Sequence, residues 1–577
     1  MPRYSSRPAL TPFLALLFIA VIGCAPADEP GAHAAADAAS PDGDLLTEVR
    51  SAAEVIDEAT LRIHIAELSS DEMGGRGPGS EGDRMAREYL IEQMKALGLE
   101  PGGENGSWEQ PFDIVRITSR VPDVWTFETP GQSLDLQSHD QFIAFAGVQE
   151  EEAAIENAEV VFVGYGIEAP EYDWNDFDDV DVSGKVLLIL NNDPDWDPEL
   201  FDGDRRLYYG RWDYKYEKAA EKGAVGAIIH HTRPPAGYPF GVVQSSWTGP
   251  QFELPATGEP RLQVAAWTVE SATRELVALG GFDLDELVES AKGRDFQPVP
   301  LGITTSLAVR NEIERTQTAN VLGKLSGSDG ELADQHVIYG AHFDHLGIGE
   351  PDEDGDTIYN GALDNASGSA AVLAVAKAMK ELSRAPRRST TFAFWAAEEQ
   401  GLLGSEFFAQ NPPMPAGKMA ANVNIDGGNI FGKTHDIVFI GYGKSSLDEV
   451  VRRWAGDQGR TVKPDQFPDR GFFYRSDQFN LAKIGVPAIY LDNGVEFVGR
   501  PAEWGREQIE AWEGEHYHQQ SDELNDTWSF DGMVQDTRLY LFVGVDIAEA
   551  SEMPRWAPGD EFEDDRQAAL AALAGDP

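Results

Sequence analysis

The chain has 577 residues, too many for one ordinary domain, and its 42% hydrophobic and 10% aromatic content is enough to build packed cores. Its formal net charge is −54. A surface that acidic repels nucleic acid and removes DNA and RNA from the possible partners.

In chain order, Arg3 and Arg7 precede an apolar run from Phe13 to Ile22, which ends Val21-Ile22-Gly23-Cys24. A charged start, about ten apolar residues and a small residue before the cut describe an export signal, too short to span a bilayer permanently. The Val-x-Gly-Cys ending resembles a bacterial lipobox. That resemblance implies a lipid-modified Cys24 as the mature amino terminus, a membrane partner reached through the lipid, and the cell envelope as the location. Ala25 in place of an aspartate favours the outer membrane. Cys24 is the single cysteine, so no internal disulfide is expected.

Residues 25–44 are Ala, Pro, Asp and Gly with almost no large apolar side chain, and read as a flexible tether. A helix is predicted over residues 83–97, with Ala86, Tyr89, Leu90, Met94 and Leu97 on one face and Gly98 as its stop. Just before it, Gly77-Pro-Gly-Ser-Glu-Gly82 spells a G-x-G-x-x-G, but a helical stretch and a polar loop precede it rather than a strand. It reads as a loop entering a helix, not as a dinucleotide site.

Residues 131–300 differ in character: short apolar runs alternate with Gly-, Pro- and Asp-rich loops, which predicts an inserted, β-rich domain. The acidic stretch 173–181 lacks the spacing and the glycine of an EF-hand loop, and His230-His231 has no carboxylate companion in sequence, so both read as structural. From residue 318 onward the pattern becomes strand, loop, helix, repeated. Strands are predicted at 336–341, 390–397, 420–425, 436–440 and 487–491, and helices at 367–382, 446–458 and 531–548. Such alternation predicts an α/β fold, a mostly parallel mixed sheet with helices on both faces. Ligand sites in such sheets form beyond the carboxyl ends of the strands.

Five clusters fall at those ends: His342-Phe-Asp344-His345, Asp364-Asn-Ala-Ser-Gly368, Glu398-Glu399, Asp426-Gly-Gly428, and His516-Tyr-His518 with Asp522 downstream. Each alone is weak, since a strand-end Asp is commonly a cap. Together they offer imidazole nitrogens and carboxylates of the kind zinc prefers, including a carboxylate able to bridge two ions about 3.5–4 Å apart.

This order of residues resembles the co-catalytic di-zinc exopeptidases, a family that includes secreted bacterial aminopeptidases, glutamate carboxypeptidase II and the transferrin receptor. The middle segment, around Gly184-Lys-Val186 and residues 219–229, resembles their protease-associated (PA) domain. The resemblance implies two Zn²⁺ per chain, one held by His342 and Asp426, the other by Glu399 and His518, with Asp364 bridging. It makes Glu398 the general base, gives Asp344 the outward ring nitrogen of His342, and gives Asp522 the same task for His518. The stretch Tyr474-Arg-Ser-Asp-Gln478 matches the family's Ser-Asp-His segment except for the final Gln; there Tyr474 or Arg475 is expected to polarise the substrate carbonyl. His345 and His516 match no ligand.

The implied activity is removal of amino-terminal residues from peptide substrates. Alternatives of the same fold are a carboxypeptidase or dipeptidase, a mono-zinc glutaminyl cyclase, and a non-catalytic binding protein like the transferrin receptor; an intact Glu398 argues against the last. The expected organisation is a signal peptide (1–24), tether (25–44), peptidase amino-terminal part (45–130), PA-like insertion (131–300), catalytic part (301–552) and an acidic tail (553–577). No motif speaks to oligomeric state.

Overall fold

A computed structural model describes residues 43–575 apart from 178–179, 199, 237–238 and 353–354. The export signal, Cys24 and nearly all of the tether lie outside the described residues.

The catalytic part is built on eight strands: β1 (Glu109–Arg120), β2 (Val299–Leu325), β3 (His336–His342), β4 (Ser389–Trp395), β5 (Met419–Asn424), β6 (Asp436–Ile440), β7 (Thr461–Pro464) and β8 (Ala488–Asp492). Their order across the sheet is β1-β2-β4-β3-β5-β8-β6-β7. The four central strands, β4, β3, β5 and β8, run parallel, and antiparallel neighbours flank them. Consecutive side chains leave opposite faces of a strand. Val337, Tyr339, Phe392 and Phe394 accordingly enter one core, while Ile338, Ala393 and Trp395 enter another.

The first core is covered by α1 (Glu58–Leu68), α2 (Glu81–Ala96), α3 (Ser367–Lys380), α4 (Leu447–Asp457) and α5 (Phe530–Glu549). The second is covered by the shorter helices Leu403–Gln410 and Gln478–Lys483. The predicted strands and helices of this part are all present, with ends moved by one or two residues. Alanines make the close fit of α3 possible: Ala370, Ala371, Ala374, Ala376 and Ala378 are all buried between α1, α5 and the sheet.

The insertion has its own core, running from Trp125 and Phe127 to Leu307 and Val309, so it begins before residue 131 and ends after 300. It is also less purely β than its sequence suggested. Strands Glu152–Phe162, Val186–Leu190, Gly226–His231 and Val264–Val269 lie parallel, with helices Trp212–Glu221 and Glu270–Leu279 packed on either face. His230 donates or accepts at the Thr273 hydroxyl (3.0 Å), and burial pushes its pKa down to about 4, as for a neutral core histidine. The 27-residue strand β2 ties insertion to catalytic part: its first half pairs with Glu152–Phe162, its last residues with β4.

The last residues are not a free tail. Trp556 and Phe562 are buried against Phe473 and Phe479, and a terminal helix, Glu563–Gly575, sends the buried Arg566 guanidinium to the Met419 carbonyl (2.9 Å). Among the described residues no helix is long and apolar enough to cross a membrane.

Candidate metal centre

The five clusters converge at the carboxyl ends of β3, β4 and β5. His342 is the last residue of β3, Glu398 and Glu399 follow β4, and Asp426 follows β5. The His342 Nε2 lies 3.1 Å from Asp364 Oδ1, 3.2 Å from Asp426 Oδ1 and 3.9 Å from Glu398 Oε2. On the other side of Asp364, His518 Nε2 lies 3.2 Å from its Oδ2 and 3.0 Å from Glu399 Oε2. One carboxylate thus faces two separate histidine–carboxylate groups, one oxygen to each.

These residues fit metal ions better than they fit one another. Buried His518 Nε2 makes no hydrogen bond, although two carboxylate oxygens stand within 3.2 Å of it. A buried imidazole nitrogen left without a hydrogen bond beside carboxylate oxygens is what a coordinated cation would account for. His342, Glu398 and Asp426, and likewise His342, Asp364 and Glu399, each bring three donor atoms within 4.8 Å of one another.

The electrostatics agree. Burial alone lowers the pKa of His342 and His518, yet the surrounding carboxylates hold His342 well above its ordinary value and His518 at about 10. Burial, then the charges of Asp426 and Glu399, push Glu398 well above the usual carboxylate range, against the opposing pull of His342. Four carboxylates facing two imidazoles call for added positive charge.

The Asp364 loop is held from both sides. Asp522 accepts the backbone N–H groups of Leu363 (2.9 Å) and Asp364 (3.0 Å). The Asn365 amide donates to the Ile425 carbonyl (3.0 Å), and its oxygen accepts the N–H of Gly368 (2.8 Å) and Gly427 (2.9 Å), joining this loop to the one bearing Asp426. A Cβ on Gly368 would sit 2.2 Å from the Asn365 oxygen and 2.5 Å from the Ile425 carbonyl, so that position requires glycine.

Several expected roles change. Asp344 lies only 3.9 Å from His342 Nδ1, whose nearer acceptor is the Asp344 main-chain carbonyl (3.3 Å). The carboxylate instead accepts the N–H of Glu398 (3.0 Å) and Glu399 (3.4 Å), fixing the turn that presents both glutamates. Asp522 orients Asp364 rather than His518. Tyr474 is buried and faces away from the cavity: its hydroxyl donates to Glu561 (2.5 Å). It ends a 3₁₀ turn, Phe472–Tyr474, that leaves Arg475 exposed on the cavity side. Tyr474 is therefore no substrate contact here, whereas Arg475 is in place to be one. Gln478, standing where the family pattern has His, accepts from the Asn424 amide (2.8 Å) and donates to the Phe473 carbonyl (2.7 Å).

Three contributors were not legible. Ser476 donates to Asp426 Oδ2 (2.6 Å), and His345 meets Glu399 Oε1 (2.6 Å) while packing its ring against His518. Arg76, wholly buried, donates to the carbonyls of Phe343 (2.6 Å), Asn360 (2.6 Å) and Gly361 (2.9 Å), bracing the loops that carry His342 and Asp364.

The centre opens into a cavity of about 730 Å³, the size of a site for a small molecule or short peptide. The insertion supplies Asn191, Arg206, Arg211 and Trp212 to its wall, and Tyr490, Phe431, Phe472 and Trp512 line it from the catalytic part. Tyr517, stacked on His518 at 3.8 Å between ring centres, also faces it.

The model of Peptidase family M28 matches residues 320–541. Leucine aminopeptidase 2 of Trichophyton rubrum is 29% identical over 237 residues, covering 38% of this chain and 43% of the relative. Aminopeptidase NAALADL1 of Mus musculus is 34% identical over 125 residues, 20% of this chain and 15% of the relative. The chain thus spans less than half the length of these curated relatives. Among solved structures, an aminopeptidase from Aneurinibacillus sp. strain AM-1 aligns over 88% of this chain and 96% of its own, with 17% identity and a TM-score of 0.47.

Proposed function

We propose, from the match of residues 320–541 to the model of Peptidase family M28, that the chain is a zinc-dependent exopeptidase, an aminopeptidase, working with two ions per chain. The observation that carries this is Asp364, with one oxygen toward His342 and the other toward His518. His342 and Asp426 would hold one ion and Glu399 and His518 the other, with Asp364 shared between them.

When bound, the ions supply Lewis acidity, which lowers the pKa of a water and draws electron density from the scissile carbonyl. Glu398 takes the proton of the attacking water and returns it to the departing amine. Its enclosed position suits that exchange, because burial and neighbouring carboxylates raise its proton affinity. Arg475, from the cavity wall, offers a cation to the carbonyl oxygen as charge gathers there. The PA-like insertion contributes Asn191, Arg206, Arg211 and Trp212 to the wall of the cavity. We place the enzyme in the cell envelope, anchored by lipid on Cys24.

A second reading, a carboxypeptidase or dipeptidase, draws on the arginines of the cavity wall, of which Arg470, Arg475 and Arg506 come from the catalytic part. A panel of aminoacyl and carboxyl-terminal chromogenic substrates, assayed with and without chelator, separates the two. Glu398→Gln is expected to keep its zinc by elemental analysis while turnover falls roughly a thousandfold. A fully active variant means another group is the base.

A further inference from the structure

The cavity contains a carboxylate that the chemistry above does not use. Asp492 ends β8, the strand beside β5, and β5 leads into Asp426. The parallel register pairs Asn424 with Tyr490. Asp492 lies two residues beyond Tyr490, as Asp426 lies two residues beyond Asn424, and both line the cavity. Its carboxylate is open to the cavity.

Three other carboxylates of this wall have cations at hand. Asp536 is paired with Arg460 (2.6 Å). Glu513 feels Arg470 and Arg475, and Asp465 feels Arg205 and Arg470. Asp492 has none of these. Among the described residues no Lys, Arg or His lies within ion-pair distance of it, and its charged neighbours are Glu513, Asp465 and Asp426, all acidic. Its one close donor is the N–H of Asn493 (2.6 Å). A carboxylate that faces a cavity among like charges is short of a cation, and a ligand can bring one. Tyr490 and Phe467 on the same wall offer apolar surface to a long aliphatic stem.

We propose that Asp492 is a specificity residue for a cationic nitrogen of the substrate, that of an amino-terminal lysine or arginine side chain. The inference rests on the exopeptidase reading and adds the substrate class to it. The same chemistry could be offered by the α-ammonium group, and the experiment separates these sources.

Wild type and Asp492→Asn, each checked for zinc content and thermal melting, are compared on Lys-, Arg- and Leu-terminated substrates. The expected result is a fall of at least tenfold in the Lys/Leu ratio of kcat/KM, with the reverse preference, for Glu over Lys, in Asp492→Arg. Equal losses on Lys and Leu substrates, with weakened discrimination against N-acetylated ones, would overturn the side-chain assignment and give Asp492 to the α-ammonium group. No change in either quantity overturns the proposal outright. Calorimetric titration of the zinc-loaded protein with L-lysine and with L-norleucine gives a readout that needs no turnover. Preferential lysine binding that Asp492→Asn abolishes supports Asp492 even in a chain that cleaves nothing, whereas failure of all peptide substrates counts against the exopeptidase reading alone.

Discussion

At the scale of single residues, His342, Glu399 and Asp426 were readable as candidates because each stands where a strand runs out, and strand ends can be found from apolar runs, whereas Asp364 and His518 lie in turns beside helices and were read from the family pattern. The residues that orient them were not, because orientation depends on where a side chain points after a turn. Tyr474 shows this. Sequence places it beside Arg475 and Ser476, but one 3₁₀ turn sends its hydroxyl to Glu561 and leaves the neighbours facing the cavity and Asp426. Asp522 was noticed for the right neighbourhood and given the wrong partner. It holds the backbone of Asp364 through two N–H groups in a buried setting. In Asp522→Ala those donors lose their acceptor, at a cost of about 1–3 kcal/mol. The Asp364 carboxylate, which the proposed centre shares between its ions, also loses its fixed position, so zinc affinity is expected to fall about ten- to a hundredfold, as for other groups that orient ligands. Competition with a chromogenic chelator measures the affinity, and unchanged affinity would mean that Asn365 alone fixes the loop.

At the scale of elements, the catalytic sheet was legible almost throughout, since its buried parallel strands are continuous apolar runs and its helices repeat apolar residues every three to four. In the insertion the same reading failed for helix Trp212–Glu221, whose buried face is made of Tyr214, Lys215, Tyr216, Ala219 and Ala220, amphipathic and small residues that give little hydropathy signal. The brace below the site was equally hidden. Arg76 is a charged residue in a glycine-rich turn, yet it is fully enclosed and joins the end of α1, at the Leu68 carbonyl, to the loops after β3 and before α3. Its charge is supported by Asp344, Asp522, Asp364 and Glu399, although burial lowers its pKa to about 10. Arg76→Ala strands several carbonyls and removes a cation from beneath four carboxylates, and is expected to cost about 3–5 kcal/mol. Arg76→Lys, with a compact ammonium in place of a planar fork, recovers only part of that. Denaturant unfolding of the two variants ranks them, and equal stabilities would show that the charge alone matters.

At the scale of the whole molecule, residues 553–577 read only as an acidic, Ala-rich tail to which the sequence assigns no role, with Trp556 and Phe562 as isolated aromatics. In the fold they close a seam. Asp560 and Glu561 both hold the buried Lys444 ammonium at 2.8 Å, Tyr474 donates to Glu561, and the N–H of Tyr208, from the insertion, reaches Glu561 at 3.4 Å. One acidic pair therefore joins the insertion, the loop after β6 and the turn that presents Arg475 and Ser476. Truncation after residue 552 removes the burial of Trp556 and Phe562, roughly 1.5–3 kcal/mol each. It also leaves Lys444 enclosed without a partner, which costs about 3–5 kcal/mol. The truncated chain is expected to melt well below the full one and to be cleaved by added protease near residues 205–211, where the insertion meets the cavity. Glu561→Gln, which keeps the aromatic packing and one carboxylate for Lys444, should lose less stability but loosen the same loop. Limited proteolysis followed by mass spectrometry locates the cuts, and cleavage confined to the new carboxyl terminus would mean that the insertion is held in place by β2 alone.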